Sequence, residues 1–420
     1  MILTVSSPWI LCSLIALTCT TSALSPQASA ADQEQSEPGL NSDGKLSLNF
    51  RYRYELVGQD GFTKDAYAST LRTRFAYRSP YFSNFGFVVD IDDVRSAGAD
   101  FYNSTRNGNT NRPVVADPEG TYVNQALILY SGIENTVIRA GRQRITLDNH
   151  RFIGDVGWRQ NDQTYDSLSL TNKSLQDTII EYAYIDKVNR VFGPDGGTPA
   201  ADFQSNSHVL NVKHEWSPNW GASAYAYLLD LEDSPLLSNK TFGIRLHGRT
   251  AVSDRTSISY TVEYAHQQNY GDNPNNFSAD YFLLEGALTA AGITGKLGYE
   301  VLEGNSVQAF QTPLGTLHAF QGWADKFLAT PSDGIEDFYF SIATKIRGAN
   351  ISLIYHRFNP AAGGPDYGRE RDLVIKKPLA ERYSIVLKSP ITMPAASRQT
   401  PRCSGSWRPR SLVTDYIGTV

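Results

Sequence analysis

Between Leu46 and Leu56 the chain reads LSLNFRYRYEL, an unbroken two-residue alternation. Leu46, Leu48, Phe50, Tyr52, Tyr54 and Leu56 fall on one side, and Ser47, Asn49, Arg51, Arg53 and Glu55 on the other. Only an extended strand sorts side chains this way, because successive residues point to opposite faces of a sheet. The stretch LRTRFAYR repeats the arrangement, with Leu71, Thr73, Phe75 and Tyr77 against Arg72, Arg74 and Arg78. Both strands are apolar on one face and carry arginines on the other.

A soluble sandwich would bury the apolar face and wet the charged one, and a single strand fits that reading. The series does not. Alternation recurs at Leu210 and Val212 against Asn211, Lys213 and Glu215, and at Phe242, Ile244 and Leu246 against Thr241, Arg245 and His247. It recurs again at Ile258, Tyr260, Val262 and Tyr264, and at Ile293, Leu297, Tyr299 and Val301, the last set facing away from Thr294, Lys296 and Glu300. About seventeen such segments lie between Lys45 and Lys388, most of about nine to twelve residues, the length of a tilted membrane-spanning strand. The links between them alternate short and long. Short ones include SPYFSN, SGIEN, SPNW and RGA, and long ones lie near 57–69, 95–120, 143–163, 189–206, 268–279, 303–335 and 359–369. Short turns at one end and long loops at the other mark an all-β, antiparallel transmembrane barrel.

The energetics assign the faces. An arginine facing lipid at mid-bilayer costs roughly 2 to 4 kcal/mol, so Arg51, Arg53, Arg72 and Arg74 together would cost on the order of 10 kcal/mol. They are expected to line the lumen with Glu55, Lys213, Arg245 and Lys296, joined by Asp90 and Asp92 of FVVDIDDV. Strands of such barrels close in even numbers, which makes eighteen the natural total and leaves an aqueous channel inside. The first long link follows strand one, which predicts a periplasmic N-terminus.

Composition removes other classes. A net charge of -5 and 41% hydrophobic residues give no general affinity for nucleic acid. The apolar run Trp9–Leu17 followed by Ala28-Ser29-Ala30 predicts an export signal over 1–30, cleaved after Ala30, although no Lys or Arg precedes Lys45. A flexible periplasmic leader is expected over 31–44 and the barrel over 45–388. Cys12, Cys19 and Cys403 leave the body of the chain without a thiol, so neither a disulfide framework nor a cysteine metal site is expected. His150 with Asp148 and Asp155 lacks metal-ligand spacing, GPDGGT lacks the Lys-Ser/Thr of a phosphate loop, and Ser207 with His208 has no nucleophile motif around it. No enzyme, cofactor or metal is expected.

The stretch GRQRITLDNHRFIGDVGWRQ, residues 141–160, is different in kind. It gathers Arg142, Arg144, Arg151 and Arg159 with Asp148 and Asp155 on no strand or helix period. As the long link after strand five it can fold back into the pore mouth. Arginines there and on the wall favour anions by offsetting their desolvation. The same arginines paired with acids would also brace the wall, and both readings stand.

Three stretches carry a resemblance: GRQRITLDNHRFIGDVGWRQNDQTYDS from Gly141, FQTPLGTLHAFQGWADKFL from Phe310, and ADFYNSTRNGNTNRPVVADPEGTYVNQALI from Ala99. They resemble the alginate-export family of Gram-negative outer-membrane proteins, over about Lys45 to Lys388. The resemblance implies an eighteen-stranded barrel whose positive interior passes an anionic polysaccharide such as alginate, or smaller anions, with long loops as a constriction. A general small-nutrient porin is the alternative within transport; an outer-membrane enzyme or structural barrel is the alternative outside it. Carried over as constriction loops are Arg142, Arg144, Asp148, Arg151, Asp155 and Arg159, and, in a second loop, Trp323, Asp325 and Lys326. Implied partners are outer-membrane lipid and lipopolysaccharide, the barrel-assembly machinery and the anionic solute; a monomer is expected.

The tail departs from the family's pattern. From Ser389 the chain carries Pro390, Pro394, Pro401 and Pro409 and ends in Val420 rather than an aromatic residue. Proline is confined to strand edges and bulges, so 389–420 is expected to be an aberrant, diverged or out-of-frame segment, with the eighteenth strand lost or altered. The exception is SLVTDYIGTV, 411–420, whose weak alternation offers a makeshift closing strand.

Overall fold

In the computed structural model residues 44–195, 197–393 and 410–419 are described. Of the expected signal and leader, 1–44, all but Gly44 lie outside them, as does 394–409. Eighteen antiparallel strands form one closed sheet: β1 (Lys45–Gly58) pairs with β2 (Ala66–Arg78), each later strand pairs with its successor, and β18 (Arg410–Thr419) pairs with both β17 and β1. No helix of the described residues is long and apolar enough to cross a membrane. Closure satisfies backbone groups that would otherwise meet hydrocarbon.

The faces fall where the alternation puts them. Leu46, Phe50, Tyr52, Phe75 and Ile91 are exposed on the outer wall, while Arg51, Arg53, Glu55, Arg72, Arg74, Asp90 and Asp92 are buried on the inner one. Short turns at 134–135, 218–219, 291–292 and 347–348 occupy one end; the long loops 144–163, between β5 (Thr136–Gln143) and β6 (Thr164–Asn172), and 303–334, between β13 (Ile293–Leu302) and β14 (Ile335–Ile346), occupy the other. The structure adds a link at 230–238 and a turn at 254–255.

The C-terminal boundary moves. β17 runs Tyr383–Met393, past Lys388 and through Pro390. Pro390 pairs with Asp372 of β16 (Gly368–Ala380), but the ladder to β18 skips from Lys388↔Val413 to Ile391↔Arg410, so no N–H is demanded where proline has none. The eighteenth strand is present: Asp415 lies opposite Arg53, Val413 opposite Glu55 and Leu412 opposite Leu56. Val413 and Asp415 are buried inward and Leu412 is exposed, the alternation expected of a makeshift strand.

Candidate channel constriction

Two loops meet inside the barrel. Gly154 N–H donates to Leu314 O at 2.9 Å and Thr316 N–H to His150 O at 2.9 Å, tying loop 144–163 to loop 303–334 through a short parallel bridge at Ile153 and Leu314. The crossing is too close for side chains. A Cβ on Gly154 would fall 2.2 Å from Thr316 Oγ1, and one on Gly315 would fall 2.4 Å from Arg151 O. Val156, a β-branched residue, adopts φ 52°, a costly conformation. It is held by its N–H to Thr316 Oγ1 at 3.2 Å and by Arg159 N–H to its carbonyl at 3.1 Å.

One side of this double loop is anchored by apolar packing. Phe152 sits with ring centroids 5.3 Å from Tyr225, 5.2 Å from Tyr281 and 5.8 Å from Phe310, inside a buried cluster that includes Leu147, Ile153 and Leu314. Arg151 is buried beside it, donating to Glu300 Oε1 at 2.7 Å and to Thr312 Oγ1 at 3.0 Å. Asp148 accepts from Asn211 Nδ2 and Ser223 Oγ, both at 2.6 Å. Loop residues thus dock on the walls of β8 (Asp202–Ser217) and β9 (Trp220–Leu229) as well as on each other.

The other side is anchored by the arginines. Arg51 donates to the carbonyls of Gly157 and Arg159, both at 3.0 Å, to Trp158 O at 2.8 Å, and to Asp415 Oδ2 at 3.0 Å. Arg53, fully buried, donates to Trp158 O, pairs with Glu55 at 3.1 Å and Asp117 at 3.6 Å, and stacks 3.9 Å from the Trp158 ring. Arg72 donates to Gln160 O at 3.2 Å and Asn49 Oδ1 at 3.0 Å. Arg74 pairs with Asp92 at 2.6 Å and Asp162 at 2.9 Å. Arg159 reaches Glu55 at 3.1 Å and Asp325 at 3.3 Å. Like charges at Arg51 and Arg72 stand directly opposite each other, which is unfavourable. Loop carbonyls and carboxylates supply what water would otherwise give.

These wall arginines therefore hold the loop. Of the three arginines of loop 144–163, Arg144 keeps the most solvent contact, 16% of its side chain against 11% for Arg159 and 1% for Arg151, with Asp162 at 3.6 Å and Asp90 at 4.0 Å; Asp90 also accepts from Gln125 at 2.6 Å. Arg142 is not part of the constriction. It lies on β5 opposite Ala126 and Asp166, on the face shared by exposed Ile128 and Leu168, and pairs with Asp166 at 2.7 Å on the outer wall. A one-residue step in a strand changes the face, and the stretch read as loop begins inside β5. Lys213, Arg245 and Lys296 face the lumen, each paired: with Glu215 at 3.2 Å, Glu263 at 2.5 Å and Glu285 at 2.9 Å.

A second cluster joins Trp323 and Asp325, both expected in a constriction loop, to Trp158, His318 and Lys388, which the sequence does not single out. Lys388 Nζ lies 3.7 Å from the Trp158 ring and 4.7 Å from that of Trp323, and Trp158 stacks on His318 at 4.0 Å. His318 Nδ1 is 2.7 Å from Asp325 Oδ1 and its Nε2 3.2 Å from Lys388 Nζ. Burial, reinforced by Lys388 and Arg159, pushes His318 down to about 3 despite Asp325. Burial would raise Asp162, but Arg74, Arg144 and Arg72 override it and hold the carboxyl well below its usual range. Asp155 is raised by burial, with Asp162 adding to the effect, and accepts Gly157 N–H at 3.2 Å. Burial likewise lowers Lys326. Asp117, Asp162, His318, Lys388 and Asp415 carry no motif; only their fold position gives them roles. Among the described residues no group of three or more His, Cys, Asp or Glu is arranged to hold a metal ion.

The family described as "Alginate export" matches residues 44–315. No curated protein matches the sequence. Among solved structures, OccAB2 of Acinetobacter baumannii is 17% identical with a TM-score of 0.70, covering 90% of this chain and 99% of that one. OpdK of Pseudomonas aeruginosa, solved with vanillate, is 12% identical with a TM-score of 0.70, covering 91% and 100%. These likenesses cover about nine-tenths of the chain and agree with its closed fold. The family match spans β1 to β13 and the first constriction loop: the chain belongs to the alginate-export family, and it is a passive outer-membrane channel.

Proposed function

We propose that this channel passes small anionic solutes, carboxylates in particular, past a constriction made by loops 144–163 and 303–334, with the long loops facing outward and the N-terminus in the periplasm. The observation that carries the reading is the position of Arg144. It is the solvent-touching guanidinium of a loop whose other cations are buried in ion pairs. A guanidinium fork matches a carboxylate, and the solvent-facing edge of Arg144 offers donors that a solute carboxylate can accept. The buried arginines hold this group in place and set the local potential, while Lys213, Arg245 and Lys296 continue a cationic path along the wall. Carboxylate is the chemistry shared by the vanillate in OpdK and by the polyuronate of the family's description.

Solute uptake into proteoliposomes tests this. Glucuronate and glucose have nearly the same size and differ in charge, so the account predicts faster entry of glucuronate and a loss of that preference in Arg144→Ala. Equal rates for the two sugars in the unmodified protein would overturn it.

A further inference from the structure

On the outer wall, at the long-loop ends of β15 (Ala349–Asn359) and β16, three arginines share one patch. Arg357 stands directly opposite Arg369, and Tyr355 opposite Arg371. All three are exposed, Arg357 by 51% of its side chain. Glu370, between the last two, points into the lumen and is buried. The patch sits at the upper limit of an apolar belt, beside exposed Phe338, Phe340 and Ile391 and above Leu353.

Its charge is less compensated than at three other cationic positions of the outer wall. Elsewhere on the outer wall Arg95 pairs with Asp93 at 2.7 Å, Arg142 with Asp166 at 2.7 Å and Lys187 with Asp202 at 2.8 Å. Here Arg357 has Asp366 at 3.8 Å, and Arg369 and Arg371 have no carboxylate partner among the described residues. Like charges opposite each other on adjacent strands are destabilising, and long exposed arginines at a membrane interface gain most from an anion with several oxygens. A soluble anion would need no apolar belt beneath it; a lipid headgroup does, since its chains lie along Phe338, Phe340 and Leu353.

We infer that Arg357, Arg369 and Arg371 form a binding site for the phosphorylated headgroup of an outer-leaflet glycolipid, whose acyl chains pack on the wall below. This rests on the outward placement of the long loops. Three guanidinium groups on two adjacent strands present a plane of donors spaced for two or more phosphate oxygens.

The full-length barrel in neutral detergent, titrated with bisphosphorylated lipid A and with its dephosphorylated form, provides the test. Lipid A is expected to bind with an affinity that falls steeply with salt, the dephosphorylated lipid at least tenfold more weakly, and the double variant Arg369→Gln, Arg371→Gln at least tenfold more weakly than the unmodified chain. Arg95→Gln, on the ion-paired part of the rim, is expected to bind normally, and all variants to keep their conductance. Equal affinity for the two lipids, or an unchanged affinity in the double variant, would overturn the site. Binding in detergent does not depend on orientation, so a separate measurement, labelling of a cysteine placed at Gly364 on whole cells, distinguishes failure of the site from failure of the topology.

Discussion

Lys388 Nζ lies 3.2 Å from His318 Nε2, while His318 Nδ1 lies 2.7 Å from Asp325 Oδ1. An ammonium only donates and a carboxylate only accepts, so the imidazole between them is neutral, with its proton on Nδ1 and its lone pair toward the lysine. Protonating it would turn an N–H against the ammonium. The second loop is therefore docked through a group that works in one protonation state.

Acid should loosen the constriction. His318 is pushed down to about 3 when docked, against an ordinary 6.5, so as pH falls below 6.5 an undocked loop gains a proton that the docked loop refuses. Docking free energy is complete above pH 6.5 and declines as pH falls toward 3. Asp325, lowered against the effect of burial by the His318 hydrogen bond and by Arg159 and Lys388, acts in the same direction. Single-channel recordings are expected to show larger, noisier conductance at pH 4 than at pH 7, with a flatter response in His318→Gln.

Trp158 joins the two loops to the wall. Its ring meets Arg53 at 3.9 Å, Lys388 at 3.7 Å and His318 at 4.0 Å. Each desolvated cation–π contact contributes up to about 2 kcal/mol. Trp158→Ala is expected to raise the open fraction at least tenfold while the protein keeps the heat-modifiable gel mobility of a folded barrel; an unchanged open fraction would remove Trp158 from the latch.

The closing strand contributes charge as well as hydrogen bonds. Asp415 pairs with Arg51 at 3.0 Å and Arg53 at 3.8 Å. Removing one partner of a buried pair costs about 3 to 5 kcal/mol. Asp415→Ala should lower urea resistance by that order, and deletion of 410–419 should prevent assembly altogether, because β1 and β17 would present unpaired edges to lipid. Folding yield into lipid vesicles measures both.

Arg142 and Arg144 differ by two positions and should differ in effect. Arg142→Ala removes an outer-wall ion pair and is expected to leave ion selectivity unchanged, whereas Arg144→Ala reduces it. Equal effects would place both on the same surface.

How much of this was legible depends on the kind of interaction. Period-two alternation gave the strands, their faces and the inward Arg51, Arg53, Arg72 and Arg74, because lipid and water sort side chains residue by residue. Loop docking left no such trace: Asp117, Asp162 and His318 sit in non-periodic segments, and Lys388 figures in the sequence only as the end of the strand series. Arg142 was misplaced because the end of β5 has no marker residue. In the tail the weak alternation of 411–420 marked the closing strand, whereas the continuation of β17 through Pro390 was missed because a proline rule written for fully paired strands does not hold where a ladder skips that residue.

The proposed anion selection rests on one loop-held guanidinium, that of Arg144. The reversal potential of single channels in planar bilayers under a potassium chloride gradient tests it most directly. A potential of the sign set by chloride is expected, shrinking toward zero in Arg144→Ala. A potential of the opposite sign, or one that Arg144→Ala leaves unmoved, would contradict it.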